Sequence, residues 1–302
     1  MTAREVTHDW SPRSAPPEIL EPVDVLAPDP DDLRFWSSTT ILGVLDKAGL
    51  IYWAAEETAI AALDNADLVA HMAEKAGRDE ALKWLTGARF RKKPDGRGGQ
   101  LMSAADLGTA VHKACEEYAL TGRRPADVHW EVEPYLDQFD RWLDVFQPTY
   151  LAAEMTVYSP TYGYAGTSDG ILSIDGVPLI IDYKTTRRSF DKQGKPTHPY
   201  PEACLQVASY RWADLAAVWH PRRYEHFRRR YYLLSPQERA AAVPVPPVDG
   251  GLVIHITPEH CVAYPVRCDY DVFERFLFVQ EVARWQFEMA GQAIGAPLER
   301  GA

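Results

Sequence analysis

The stretch TSDGILSIDGVPLIIDYKTT, residues 167–186, decides how this chain is read. Two apolar runs of strand character are joined by Asp175-Gly176, a dipeptide that favours the two-residue turn of a β-hairpin. Antiparallel pairing centred on that bond sets position 169 across from position 182, so Asp169 and Asp182 become cross-strand neighbours. A bulge would displace this register. Lys184 stands two residues after Asp182, and alternate residues of a strand share a face.

Carboxylates held together repel when buried unless a proton or a cation joins them. Oxygen ligands of this type suit Mg²⁺ or Mn²⁺. Such an ion polarises a phosphoryl oxygen and lowers the pKa of an attacking water, while a nearby lysine can stabilise phosphate charge. The residues therefore point to phosphodiester hydrolysis. Taken alone, D-x-K carries almost no information, and a solvated hairpin with incidental charges is the bland alternative. Its place after an apolar strand and opposite a second aspartate gives it weight.

Working upstream, a hydroxyl near Ser37–Thr40 is positioned to cap TTILGVLDKAG, with Gly49 as its stop. Helical pattern follows over residues 52–73, 78–85, 104–120 and 132–147, the last halted by Pro148. Strands are expected at 151–158, 164–174 and 177–183. Downstream come a helix over 202–218, strands at 231–234, 252–256 and 261–266, and a final helix over 270–290. PQERAAAVPVPPVDG, residues 236–250, reads as a proline-rich excursion. The class is α/β: a mixed β-sheet core flanked by helices, with an N-terminal helical region.

Three parts are expected along the chain. Residues 1–35 hold six prolines and eight acidic against three basic residues, the composition of a flexible acidic arm. Residues 36–100 form a helical accessory region and residues 101–302 the main domain. RFRKKPDGRGGQ, residues 89–100, is a basic loop suited to a DNA backbone through Lys92 and Lys93, or else a solvated loop.

The chain has 302 residues, 46% hydrophobic and 25% charged, an ordinary globular balance. Its net charge of −11 argues against broad coating of nucleic acid. Local gripping remains open, because basic residues cluster at Arg89–Lys93, Arg187–Lys195 and Arg222–Arg230. No apolar run approaches the roughly 20 residues needed to span a bilayer. MTAREVTHDW lacks the basic and apolar regions of a signal peptide, so a cytoplasmic location is expected. Cys115, Cys204, Cys261 and Cys268 form no C-x-x-C pair, which speaks against structural zinc and for reduced thiols.

Four elements in order over residues 104–215 resemble the PD-(D/E)XK nuclease superfamily, in particular its RecB-like and Cas4-like exonuclease branch of bacteria and phages. They are GTAVH with Gly108 and His112, GTSD ending in Asp169, DYK with Asp182 and Lys184, and LQVASY with Gln206 and Tyr210. The resemblance implies a restriction-endonuclease-like fold. It implies that His112, Asp169 and Asp182 are metal ligands, joined by the Tyr183 carbonyl, and that Lys184 is the catalytic lysine. Glu154, on the strand before Asp169, occupies the place of an acidic residue that assists the metal. Gln206 and Tyr210, on one helical face, position DNA or the catalytic hairpin; helix packing is the alternative for Tyr210. Read from its own position alone, His112 would be a core or capping histidine.

Arg187 and Arg188 follow the hairpin and are candidates to grip phosphates. One or two Mg²⁺ or Mn²⁺ ions are expected. An iron–sulfur cluster is not, since only Cys261 and Cys268 lie late in the chain. The function implied is a deoxyribonuclease acting from linear DNA ends in recombination or repair, in a bacterial or phage-infected cytoplasm. A single-strand-annealing or recombination protein and further copies of the chain are its implied partners, with no membrane. An endonuclease of the same superfamily is the nearest alternative. A DNA-binding recombination protein that does not cleave is the alternative from another class.

Overall fold

The structure, a computed structural model, describes residues 34–88, 96–97, 99–217, 222–226 and 229–295. The chain divides into two compact units, one of Met1–Val44 with Val111–Ala302 and one of Leu45–Ala110. The smaller unit contains α2 (Ala48–Asp64), α3 (Ala66–Lys75) and α4 (Arg78–Thr86). Asn65, at φ −132° and ψ 35°, breaks the helix expected to run unbroken over 52–73. Of the segment read as an arm, only Arg34 and Phe35 are described, and they open a strand. Within the 36–100 span, residues 36–44 fall in the larger unit and residues 45–100 in the smaller one.

Among the described residues, the larger unit is built on a mixed sheet of ten strands. These are β1 (Arg34–Ser37), β2 (Thr149–Ser159), β3 (Tyr164–Ile174), β4 (Val177–Thr185), β5 (Leu215–Ala216), β6 (Arg222–His226), β7 (Arg229–Leu233), β8 (Val243–Pro244), β9 (Gly250–Ile256) and β10 (Cys261–Val266). The main path runs β10-β9-β4-β3-β1-β7-β6; β2 pairs with β3 and β5, and β8 with β5. Pairs β1–β3 and β4–β9 are parallel and the others antiparallel. The architecture is thus mixed α/β, with helices against the sheet. Among the described residues no helix is long and apolar enough to cross a membrane.

The β3–β4 hairpin turns where its dipeptide dictates. Asp175 takes φ 51° and Gly176 φ 85°, the left-handed pair a type I′ turn demands. The ladder runs from Ile174↔Val177 to Gly170↔Ile181 in the register expected around that bond. β4 then continues alongside β9 as far as Thr185↔Ile256. The edge of β3 that β4 leaves is taken by β1, through Trp36↔Tyr164 and Ser37↔Ala165. Asp169 and Asp182 stand just past the last hairpin pair, where the two strands part.

Helices hold this fork. α5 (Ala104–Thr121) brings its residues to the Tyr183 side of β4, where α6 (Glu133–Phe146) also packs. α6 buries Tyr135, Leu136, Phe139, Trp142 and Leu143, the stripe that a 3.6-residue period produces. Phe139 meets the Tyr183 ring edge-on at 5.7 Å. Along β4 the faces alternate, so Asp182 and Lys184 point the other way, toward α7 (Ala203–Arg211). There Tyr164 stacks edge-on against Phe276 of α9 (Tyr270–Arg284) at 5.0 Å. Each such fully buried aromatic contributes about 1.5–3 kcal/mol from burial.

Several boundaries differ from expectation. The opening helix, α1 (Ser38–Leu42), ends at Gly43, whose N–H reaches the Thr39 and Thr40 carbonyls, and Gly49 lies inside α2. Ser37 precedes α1 without capping it by a side-chain bond; its hydroxyl pairs with Thr39 Oγ1 at 2.6 Å. α7 stops at Arg211 rather than 218. The Trp212 indole N–H is drawn to the Cys268 carbonyl at 2.9 Å, and Asp214 Oδ2 accepts from Ser159 Oγ at 2.7 Å. The proline-rich excursion contains α8 (Pro236–Ala241), started by a capping box between Ser235 and Glu238. The last α-helix passes at Trp285 into a π-helical turn, Trp285–Met289.

Candidate active site

Where β3 and β4 separate, the ladder leaves a backbone N–H without a strand partner, and a side chain takes it. The Tyr183 N–H donates to Asp169 Oδ2 at 2.5 Å. The other oxygen, Asp169 Oδ1, faces His112 Nδ1 of α5 at 3.4 Å. The His112 ring rests edge-on against Tyr183, 5.8 Å between centroids, which holds the imidazole at the fork. Tyr183 is fixed in turn by its hydroxyl on Tyr150 Oη at 2.7 Å.

On the opposite side of β4, Lys184 Nζ lies 2.5 Å from Asp182 Oδ2. Asp182 is only 3% exposed, so this contact sets the ammonium against a buried carboxylate. Lys184 Nζ also donates to Gln206 Oε1 at 3.1 Å, and Gln206 Nε2 donates to Tyr210 Oη at 2.6 Å. The two α7 residues thus form one chain ending on the lysine. The glycine of GTSD has a packing role here. A Cβ on Gly166 would meet Tyr210 Cε1 at 2.5 Å, so only glycine lets the buried tyrosine lie over β3.

The charges are unequal in a useful way. Burial resists ionisation of Asp169, but His112, Lys184 and the Tyr183 N–H together hold its carboxyl below the usual range. Burial pushes Asp182 up and the Asp169 charge adds to this, with Lys184 only partly offsetting them. Burial also opposes charge on His112, yet the Asp169 carboxylate beside it raises its pKa overall.

Glu154 lies on β2, which pairs with the edge of β3 away from β4. The β2–β3 register, Ala153↔Gly170 and Met155↔Ser168, places it across from Asp169. Its φ of 47° is left-handed in mid-strand, a conformation costing about 1–3 kcal/mol of a kind that concentrates at functional sites.

The donor chemistry fits a hard divalent cation: the carboxylates of Asp169 and Asp182 and the imidazole of His112. Among the described residues, however, no three His, Cys, Asp or Glu side chains stand close enough together to hold an ion as they are placed. The contacts give the reason. His112 reaches Asp169 from the Tyr183 side of β4, while Lys184 meets Asp182 from the other.

The arginines divide. Arg187, read from sequence as a phosphate contact, is committed to a protein carboxylate: its Nη1 pairs at 2.7 Å with Glu131, which is buried just before α6. Arg188 remains exposed. Lys92 and Lys93 lie outside the described residues. Two participants escaped the sequence reading. Glu131 carried no local signal. His255 of β9 is in register with Lys184 and reaches Thr186 Oγ1 at 3.2 Å, which only the β4–β9 pairing reveals.

No family model matches the chain, and no curated protein does. Among solved structures, a crystal structure of SSO0001 aligns at 16% identity and a TM-score of 0.28, covering 51% of this chain. The alignment spans 58% of that protein's length. A likeness at this level carries no argument about fold or activity.

Proposed function

We propose that this chain is a divalent-metal-dependent deoxyribonuclease of PD-(D/E)XK type with a restriction-endonuclease-like core, acting on linear DNA ends. One observation supports it most: the hairpin register sets Asp169 and Asp182 at a strand fork with Lys184 against Asp182. Asp169, Asp182 and His112 would hold the cation, with the Tyr183 carbonyl and Glu154 as further oxygen donors. A Mg²⁺ or Mn²⁺ ion bound there supplies Lewis-acid polarisation of a phosphodiester and a more acidic attacking water.

The protein's own groups divide the remaining work. Lys184 brings a fixed positive charge to the edge of the fork, where it can balance charge growing on a phosphoryl oxygen. Gln206 limits the swing of that ammonium, and Tyr210 anchors Gln206. Tyr183, wedged between His112 and Phe139, keeps water from one side of the fork. Asp182, whose ionised form is disfavoured by burial and by Asp169, gains most from a cation. A second reading, a DNA-binding protein that does not cleave, draws on the absence of three converging donors among the described residues.

End-labelled linear DNA and covalently closed circles, each with Mg²⁺, Mn²⁺ or EDTA, separate these readings. Loss of linear DNA alone, blocked by EDTA and by Asp182→Ala or Lys184→Ala in folded protein, is the expected result. Linearised circles would convert the reading to an endonuclease. Binding without cleavage under every metal condition would favour the second reading, and full activity of pure Asp182→Ala would remove the assigned centre.

A further inference from the structure

Beyond Lys184 the chain does not wander. Residues 188–197 form a small hairpin braced by its own hydrogen bonds. Asp191 Oδ1 accepts from the Gln193 and Lys195 N–H groups, both at 2.8 Å, and the Asp191 N–H donates to the Lys195 carbonyl at 2.7 Å. Phe190 and Pro196 make a β-bridge, and Thr197 closes the base through its hydroxyl on the Arg188 carbonyl at 2.8 Å. The base is docked on the sheet. Phe190 leans edge-on against His260 at 5.7 Å, and His198 against Tyr264 at 5.2 Å.

What this brace presents is unusual for so acidic a protein. Arg188, Lys192 and Lys195 are all exposed, and the hairpin's one acidic side chain spends an oxygen on the turn. Phe190 lies between them in sequence, 42% exposed although its ring is held in place, and Tyr200 follows at 50%. Three exposed cations and a held, half-exposed aromatic ring on one short hairpin match a strand whose phosphates and unpaired bases are both accessible. A duplex offers the phosphates but hides its base faces.

We propose that the hairpin of residues 188–197 is a preformed clamp for single-stranded nucleic acid, with Arg188, Lys192 and Lys195 on successive phosphates and Phe190 stacked on a base. This rests on the nuclease reading for its role, namely holding one strand beside the fork, but not for its test. Because the clamp is already ordered, binding does not have to organise it.

The test is fluorescence anisotropy of labelled oligo-dT with the full chain in EDTA, where cleavage plays no part, over a range of salt. Arg188→Ala/Lys192→Ala/Lys195→Ala is expected to weaken binding at least about ten-fold and to flatten the log–log salt slope by about 2, at roughly 0.7 per phosphate contact. Phe190→Leu, which keeps the apolar contact with His260, should weaken oligo-dT binding about five-fold or more with the slope unchanged. It should leave duplex binding of equal length unaffected. The proposal is overturned if wild type does not bind oligo-dT, if the triple variant binds like wild type, or if Phe190→Leu affects duplex and single strand alike. It is also overturned if poly-glutamate of equal charge competes as well as oligo-dT. Metal-dependent cleavage with an indifferent hairpin would leave the nuclease reading standing alone; hairpin-dependent binding without any cleavage would leave the clamp standing alone.

Discussion

A single methyl group at Gly166 probes the link from motif to packing to site. In Gly166→Ala the new Cβ would lie 2.5 Å from Tyr210 Cε1, 3.1 Å from Cδ1 and 3.0 Å from Ser38 Oγ, where ordinary contact begins at 3.4 Å. The tyrosine ring must therefore retreat by nearly an ångström. It is only 2% exposed, so no solvent-facing space receives it. Overpacking of this sort typically costs about 1–3 kcal/mol, and we expect about 2 kcal/mol, read as a lower urea midpoint at constant slope. The ring also carries the hydroxyl that anchors Gln206, so its displacement should loosen Lys184 and reduce the proposed cleavage more than the stability loss explains. The control is a double-mutant cycle with Tyr210→Ala. That change alone opens a cavity costing about 3–5 kcal/mol. The added methyl then has room, and the Gly166→Ala penalty should fall by at least half. An equal penalty in both backgrounds would show that Tyr210 is not what demands glycine and would refute the reasoning.

Two further outcomes follow from groups flanking the fork. Arg187→Met removes the 2.7 Å guanidinium contact from the buried Glu131 carboxylate, with His129 Nδ1 still 3.9 Å from its other oxygen; since Arg187 is itself 36% exposed in its side chain, we expect about 2–3 kcal/mol of lost stability, below the full cost of breaking a buried pair. Adding Glu131→Gln should recover at least half of this, and urea midpoints showing no recovery would contradict the pairing. His255 is fully buried and its pKa is pushed down to about 4 by burial, with His260 and His198 adding to it. The unfolded chain therefore takes up a proton near pH 6.5 that the folded chain refuses. The stability this group contributes is intact above about pH 6.5 and is lost as pH falls toward 4, by up to about 3 kcal/mol. Wild type and His255→Gln should diverge in stability across that window, and parallel pH profiles would refute it.

The parts of the fold legible in sequence are those governed by neighbours in the chain. Asp175-Gly176 can take the two left-handed conformations of a type I′ turn, and that two-residue turn fixes the register of the apolar runs on either side of it. α5 and α6 were visible for the same reason, through a stripe at helical spacing. Elements defined by remote partners were not. β1 is four residues long and becomes a strand because Tyr164 and Tyr231 offer it backbone partners on either side. The end of α7 is set by Cys268 and Ser159, which compete for Trp212 and Asp214 across the unit.

The candidate site divides along the same line. The sequence by itself determined that Asp169 and Asp182 would stand across a turn from one another, that Lys184 would share a face with Asp182, and that Gln206 and Tyr210 would share a face of one helix. These are consequences of strand and helix periods. Only the tertiary structure decided that β4 leaves β3 just past Gly170, that His112 meets one aspartate while Lys184 meets the other, and that Arg187 answers to Glu131. Those choices depend on which strands and helices compete for one edge and one buried charge. Such competition is between groups far apart in the chain, and no local pattern encodes its winner.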